Sequence, residues 1–483
     1  MGPDSARPSP ITAARDYDSR QSRGARSLVL IIAAIVTTAL WLPADGRFPV
    51  RDLEPPPRRL STLARLETPR LAAVHRDRQA LAEGRRSLPP IPGLTDFRVI
   101  CHAHAEDSVH TGGTRPEMLM GAREAGVNAI FLTDHFRPPR DFMDSWRGLH
   151  EGVLFVPGSE ARGFLIHPQT SVMDGMNGSV PELLSKVRDQ GGLAFLSHIE
   201  ERPDHPMDQL DGLEIYNRHW DAKRDRVTLI ALALKLTNPR DIAQLDDALR
   251  RFPDEVLGAQ VDYPSDYLAK WDAETPRRRL TGVAANDAHH NQVFIVKMVD
   301  ETTVLLGTIV DPDDKKQRVS ALLRPGIREL TRGRQPGDVL VRLDFDPYAR
   351  AFRCVATHVL APELTEASLR DALRAGRAYV AHDWMADPTG FRFEIGERSR
   401  RGDPTLGIFG SEIEYREGLE LRAEFPVRCS RIRLLRNGAP IAVGRGESFT
   451  HRLTTPGVYR IEGWLMLDGE ERCWLFGNPI YLR

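Results

Sequence analysis

Cysteine is scarce in this chain of 483 residues: there are four, Cys101, Cys354, Cys429 and Cys473, and no two of them form a CxxC pair. That spacing excludes a zinc ribbon and a thioredoxin-type redox motif. A Cys429–Cys473 disulfide is permitted in an exported chain, but the sequence does not require one. An excess of either charge is also missing, since 66 Lys and Arg face 67 Asp and Glu for a net charge of −1. Polybasic nucleic-acid binders need a large cationic surplus, so no nucleic-acid partner is expected. Neither a GxSxG elbow nor a GxxxxGK[ST] loop occurs, which leaves serine-hydrolase and P-loop chemistry without support. Internal repeats are absent too. What is present, 41% hydrophobic and 28% charged residues, is globular composition and excludes a wholly disordered chain.

Only one long apolar run occurs, the 16 uncharged residues 27–42, preceded closely by Arg20, Arg23 and Arg26. A basic flank before an apolar core is the layout of a signal peptide or an uncleaved signal anchor, read here as residues 1–48. The expected location is therefore periplasmic or extracellular, with membrane contact through residues 27–42 if the segment is retained. Residues 1–98 carry 16 Arg against 10 Asp and Glu. Within them, 49–95 reads as a spacer holding an amphipathic helix over about 60–86, interrupted at Pro69.

From Asp96 the pattern alternates between helix and strand. Thr114 can cap a helix over 115–125 that Gly126 stops, and residues 181–190 form another, stopped by Gly191-Gly192. Strands are expected over 127–133, 153–157, 193–197, 213–216 and 283–285. Strands separated by helices argue for a parallel sheet, open or closed into a barrel, over residues 96–310. Residues 311–336 read as a linker. Residues 337–483 read as a smaller, mostly-β, sandwich-like domain with one helix over 366–375. Trp384, Trp464 and Trp474 are expected in its core.

Histidine is unevenly placed: 11 of 15 lie between His102 and His290. His102 and His104 stand two apart on an extended segment, so both rings can face one ion. His110 follows. Asp134-His135 ends the strand 127–133, Glu160 follows 153–157, His198 ends 193–197, and Asp287 and His289 follow 283–285. Functional groups of an α/β barrel project from the C-terminal strand ends, and here ligand-type residues recur at that end. Apolar strands ending so often in His and carboxylates would bury polar groups at a cost unless they serve an ion. His205, His219 and His290 remain undecided between supporting and surface roles.

In order, CHAHAEDSVHTGG, FLTDHF, VPGSE, GGLAFLSHIE, GLEIYN and AANDAHH resemble the motifs of the PHP (polymerase and histidinol phosphatase) family of metal-dependent phosphoesterases, over about residues 96–300. The resemblance implies a distorted (β/α)7, TIM-like barrel with two or three divalent ions, Zn, Mn or Fe. It implies that His102, His104 and Asp287 bind one ion and that Glu160 bridges to a second completed by His198 and His167. His110, or Asp107 in its stead, would hold a third with His135 and His289. Glu160, Asp287 and His289 would act in catalysis. The family usually has Asp two residues before its first HxH, where this chain has Ile100. The C-terminal ALRAGRAYVAHDWMADPTGF and FGNPIYL resemble exported relatives with an appended β domain, some of which cleave carboxylic or carbamate esters.

The implied chemistry is hydrolysis of a small-molecule phosphoester by a metal-bridging hydroxide, with no separate protein nucleophile. A carboxylic or carbamate ester hydrolase, or a non-catalytic envelope binding module, are the alternatives. Arg162, Arg202 and Arg218 are candidate phosphate clamps.

Overall fold

Where a Ser, Thr or Asn side chain can satisfy the free amides of a first turn, the helices begin. Thr114 and Ser179 each form a capping box, with Glu117 and Glu182, at the starts of helices Arg115–Glu124 and Val180–Asp189. Gly126 stops the first at φ 67°, a conformation that favours glycine. The computed structural model describes residues 60–483 except 109, 144–145, 226–227, 229–230, 233–234 and 398–404. The apolar run 27–42 therefore lies outside the described residues. Among the described residues no helix is long and apolar enough to cross a membrane.

The expected N-terminal helix is broken just ahead of Pro69, which lies in the first turn of the longer segment. A short turn, Thr62–Arg65, is followed by helix Thr68–Glu83 with Pro69 in its first turn, where its missing N–H costs no hydrogen bond. The segment is docked by its arginines. Arg65 pairs with Glu470 at 2.7 Å, Arg70 with Asp468 at 2.9 Å, and Arg85 with Asp387 at 3.0 Å.

Among the described residues the architecture is mixed α/β with three sheets. Strands β1 (Thr95–Ile100), β2 (Ala129–Phe131) and β4 (Val153–Val156) pair in parallel, and β3 (Gly148–His150) adds to β4 antiparallel. A five-stranded sheet holds β5 (Ser159–Ala161), β6 (Phe164–His167), β7 (Leu193–Leu196), β8 (Gly212–Asn217) and β9 (Thr281–Ala285). In it β7, β8 and β9 run parallel. Hydrogen-bonded strands do not close these sheets into one ring. Two isolated bridges link them instead, Ala103 with Ala288 and His135 with Glu160. Both fall on the stretches that carry the ligand-type residues.

A four-stranded antiparallel sheet follows, in the order β12 (Gln317–Ser320), β11 (Thr303–Thr308), β10 (Val293–Asp300), β13 (Val339–Asp344). The polar stretch 311–336 thus contributes an edge strand and the short helix Gly326–Thr331, neither of which needs an alternating apolar pattern. Strand β14 (Ala356–Ala361) pairs antiparallel with β1 over Thr95–Val99, so the sheet begun at β1 continues into the C-terminal part of the chain. There β15 (Ala378–Ala381) leads on to the long strands β16 (Leu419–Arg436), β17 (Ala439–Arg452), β18 (Gly457–Leu467) and β19 (Glu470–Gly477). Asn437 and Gly438, both at positive φ, turn β16 into β17. Trp384, Trp464 and Trp474 are buried in this region. All four cysteines are free and buried, so the permitted disulfide is not formed.

A buried charged cluster ties β1 to β14 at the N-terminal end of β1, away from His102. His358 places Nδ1 2.8 Å from Asp96 and Nε2 3.2 Å from Asp383, and its ring stacks on Tyr379 at 4.7 Å. Burial opposes a charge on His358, but Asp383 and Asp96 outweigh it and raise its pKa to about 9. A histidine raised on folding contributes stability that is complete below its unfolded value of about 6.5 and is lost as pH rises through about 9. The stability gap between wild type and His358→Gln should therefore shrink by roughly 3 kcal/mol between pH 6 and pH 10. Denaturant midpoints measured at both pH values check this; a constant gap would contradict it.

Candidate metal centre

The stretch after β1 is extended and wholly buried, and it turns His102 and His104 the same way, with their Nε2 atoms 2.9 Å apart. Glu160, on β5, brings Oε2 to 3.5 Å from both and from His135 Nδ1. Asp287 follows β9 and places Oδ1 3.4 Å from His102 Nε2 and 3.3 Å from His104 Nε2. His198 follows β7, with Nε2 3.2 Å from Glu160 Oε1 and 3.5 Å from Asp287 Oδ2. The carboxylate–histidine spacings, 3.2–3.5 Å, are longer than good charge-assisted hydrogen bonds. They match the separation of about 3.4 Å between donors held 2.0–2.1 Å from one tetrahedral ion.

Four overlapping trios result, each with its donor atoms within 4.8 Å of one another: His104, His135 and His289; His102, His104 and Asp287; His102, Glu160 and His198; and His219, Asp287 and His289. A fifth group, His198 with Glu200 and Glu201, lies partly at the surface. His198 and Asp287 both adopt left-handed backbone, at φ 47° and 48°. That conformation costs on the order of 1 kcal/mol or more for a side-chain-bearing residue and persists where the surroundings fix it.

Behind the histidines stand groups that occupy their other ring nitrogen. Glu214, on β8 and wholly buried, lies 2.6 Å from His102 Nδ1 and accepts the His198 backbone N–H at 3.0 Å. Glu200 lies 3.0 Å from His198 Nδ1 and accepts from Tyr267. Ser108 Oγ lies 3.1 Å from His104 Nδ1, and the Asp287 carbonyl 2.9 Å from His289 Nδ1. Partners of this kind fix the tautomer and ring orientation and leave the inner nitrogen available.

The electrostatics divide the rings into two classes. Burial opposes a charge on His102, yet Asp287, Glu160 and Glu214 raise its pKa to about 10. His198 is raised as well: burial opposes its charge, and hydrogen bonds to Glu160 and Glu200 prevail. Burial pushes His104 and His219 down to about 3 and holds His289 well below its ordinary value, so these rings are neutral with free lone pairs. Burial pushes Glu160 and Asp287 up, but neighbouring histidines, His102 foremost, prevail and hold both well below the usual carboxylate range. Cations bound here would replace the two histidine protons.

The donor set fits divalent ions. His289 Nε2 and Asp287 Oδ1 are buried without a hydrogen-bond partner, and both belong to the trios. Such groups are costly unless something binds them.

Of the nine expected ligands, His102, His104, His135, Glu160, His198, Asp287 and His289 fall in these trios. His110 stacks on His289 at 4.8 Å but joins no trio. His167, on β6, is buried edge-on to Phe131 at 5.1 Å, and it too is in none of the groups. Asp107 pairs with Arg115 at 2.7 Å. Among the candidate clamps, Arg202 pairs with Glu201, Arg162 bonds the Gly178 carbonyl, and Arg218 is buried behind Asn286. His219, left undecided from the sequence, joins Asp287 and His289. Glu214 was not singled out, although a lone acid in the apolar strand GLEIYN is the signal that could have found it.

No family model matches the sequence, and no curated protein matches it. Among solved structures the chain is similar to a two-domain protein from Bacteroides vulgatus described as containing a predicted PHP-like metal-dependent phosphoesterase, at 13% identity and a TM-score of 0.33. The match covers 81% of this chain and 98% of that one. A likeness at that level carries no argument about this chain.

Proposed function

We propose that the chain is a multinuclear metal-dependent hydrolase of small-molecule phosphoesters. The observation that carries the reading is the convergence of six histidines and two carboxylates, from the ends of β1, β2, β7, β8 and β9 and from β5, onto overlapping trios spaced for shared ions. On this reading two or three ions, Zn, Mn or Fe, are held by His102, His104, His135, Glu160, His198, Asp287 and His289, with His110 adjoining and His167 a more distant candidate. The strands would then make up a distorted, bridged barrel of the PHP kind, with the C-terminal β region appended. Export by residues 1–48 belongs to the same proposal.

The ions would lower the pKa of a water molecule and neutralise charge developing on a phosphoryl group. The chain's own residues prepare that site. Glu160 and Asp287 are the only carboxylates in the four inner trios, so the ions keep surplus positive charge, which suits an anionic phosphoester better than a neutral ester. Glu214 orients His102, and the neutral rings of His104 and His289 offer lone pairs without first losing a proton.

The test is a panel of nitrophenyl phosphate, bis-nitrophenyl phosphate and nitrophenyl acetate with the purified full chain. Phosphoester turnover that is abolished by chelator and restored by divalent metal is expected. Turnover of the acetate alone would shift the substrate class, and metal binding without turnover of any of the three would overturn catalysis.

A further inference from the structure

The turn after β13, residues 344–348, reaches two stretches that carry the metal-ligand candidates. Tyr348 Oη donates to the His104 carbonyl at 2.6 Å. The Asp346 carboxylate accepts the backbone N–H groups of Gln292 at 2.8 Å and Asn291 at 3.3 Å, and Asp344 lies 2.9 Å from His290 Nε2. Phe345 N–H donates to the Gln292 carbonyl at 3.1 Å. Four consecutive contacts thus hold the end of the loop that begins with Asp287 and His289. Arg218 braces its start, with Nε donating to the Asn286 carbonyl at 3.2 Å and Nη2 4.0 Å from buried Asp346. Asn291 also donates to the His110 carbonyl at 3.1 Å.

The sequence makes room for this turn. A Cβ on Gly113 would come within 2.4 Å of the Tyr348 ring, and one on Gly121 within 2.6 Å of Tyr348 Cβ. A Cβ on Gly112 would lie 2.4 Å from the His290 carbonyl oxygen. The turn is itself braced, since Arg350 donates to the carbonyls of Asp344 and Phe345 at 2.7 and 3.0 Å.

We propose that Asp346 and Tyr348 are positioning residues of the metal centre: they tie the His104 backbone to residues 291–292, the end of the loop that carries Asp287 and His289, and so set the affinity for the ions those residues hold. This rests on the metal-centre reading above. It assigns a role to chain beyond residue 337, which otherwise supplies none of the ligands. Backbone clamped from outside matters here because Asp287 sits in left-handed backbone and its carboxylate must meet His102, His104 and His198 within a few tenths of an ångström.

The test uses the full chain with Asp346→Asn, Tyr348→Phe and, as a control remote from the mouth, Asp387→Asn, whose carboxylate pairs with Arg85. Cobalt(II) is titrated into metal-free protein and followed by its visible spectrum, with thermal melting recorded alongside. The first two variants should bind cobalt about 10- to 100-fold more weakly, with an altered spectrum, while the control binds as wild type. Wild-type affinity and spectrum in both variants, even with lowered melting temperatures, would overturn the proposal and leave only a structural role. Failure of the wild-type chain itself to bind cobalt would instead refute the metal-centre reading.

Discussion

Asp287→Asn should lower kcat/KM for the best phosphoester by on the order of 10³-fold or more, because bound ions supply several kcal/mol of transition-state stabilisation and each 1.36 kcal/mol is tenfold. Asp287 faces more histidines of the site than Glu160 does. Its two oxygens lie within 3.7 Å of ring nitrogens of His102, His104, His198, His219 and His289. The amide is nearly isosteric, so packing is retained while the charge and one acceptor are lost. Two of the four inner trios contain Asp287, and metal held through them should be lost. Activity assays and metal analysis on the same sample check the two effects together. A variant that keeps both its metal and its activity would exclude Asp287 as a ligand.

Glu160→Gln should be comparably damaging in rate and different in pattern. Its carboxylate faces His102, His104, His135 and His198, and it is the sole acid of the trio with His102 and His198. The trio of His104, His135 and His289 contains no carboxylate. The expected outcome is loss of about one ion per chain, retention of the remainder, and a fall in kcat/KM again on the order of 10³-fold. Metal stoichiometry distinguishes this from a folding defect, which would release every ion at once. Unchanged stoichiometry would remove Glu160 from the ligand set.

The sequence made some of this legible because strand ends are local. Apolar runs that stop at Asp134-His135, His198 or Asp287 can be read by eye, as can Thr114 and Ser179 three residues ahead of Glu. What it could not convey is pairing between distant segments. Nothing in residues 339–344 announces that they pair with 293–297, or that Ala356–Ala361 pairs with β1, since neither segment carries a mark of its distant partner. Glu214 was hidden for a related reason: its partner His102 is 112 residues away, and only their contact explains a carboxylate inside an apolar strand. His219 was equivocal because it lies on a short helix, Arg218–Arg224, rather than directly at a strand end. His167 shows the converse. The family resemblance nominated it, whereas the structure places its ring against Phe131, with Gly158 so near that a Cβ there would sit 2.1 Å from His167 Nδ1.

The N-terminal spacer illustrates what charge counts omit. Its arginines look like a solvated basic tether in composition. In the structure Arg65 is buried against Glu470, and Arg86 pairs with Glu424 at 2.6 Å. Local charge of one sign is answered by acids more than 300 residues away in the chain.

Metal analysis of the purified full chain is the most direct test of the central claim. Wild-type protein should retain about two to three equivalents of a divalent transition metal after exhaustive gel filtration. The His102→Ala, His104→Ala double variant should retain at least one equivalent fewer while keeping its secondary structure. A wild-type chain that neither retains nor takes up a stoichiometric ion, or a double variant that binds as much metal as wild type, would contradict the account.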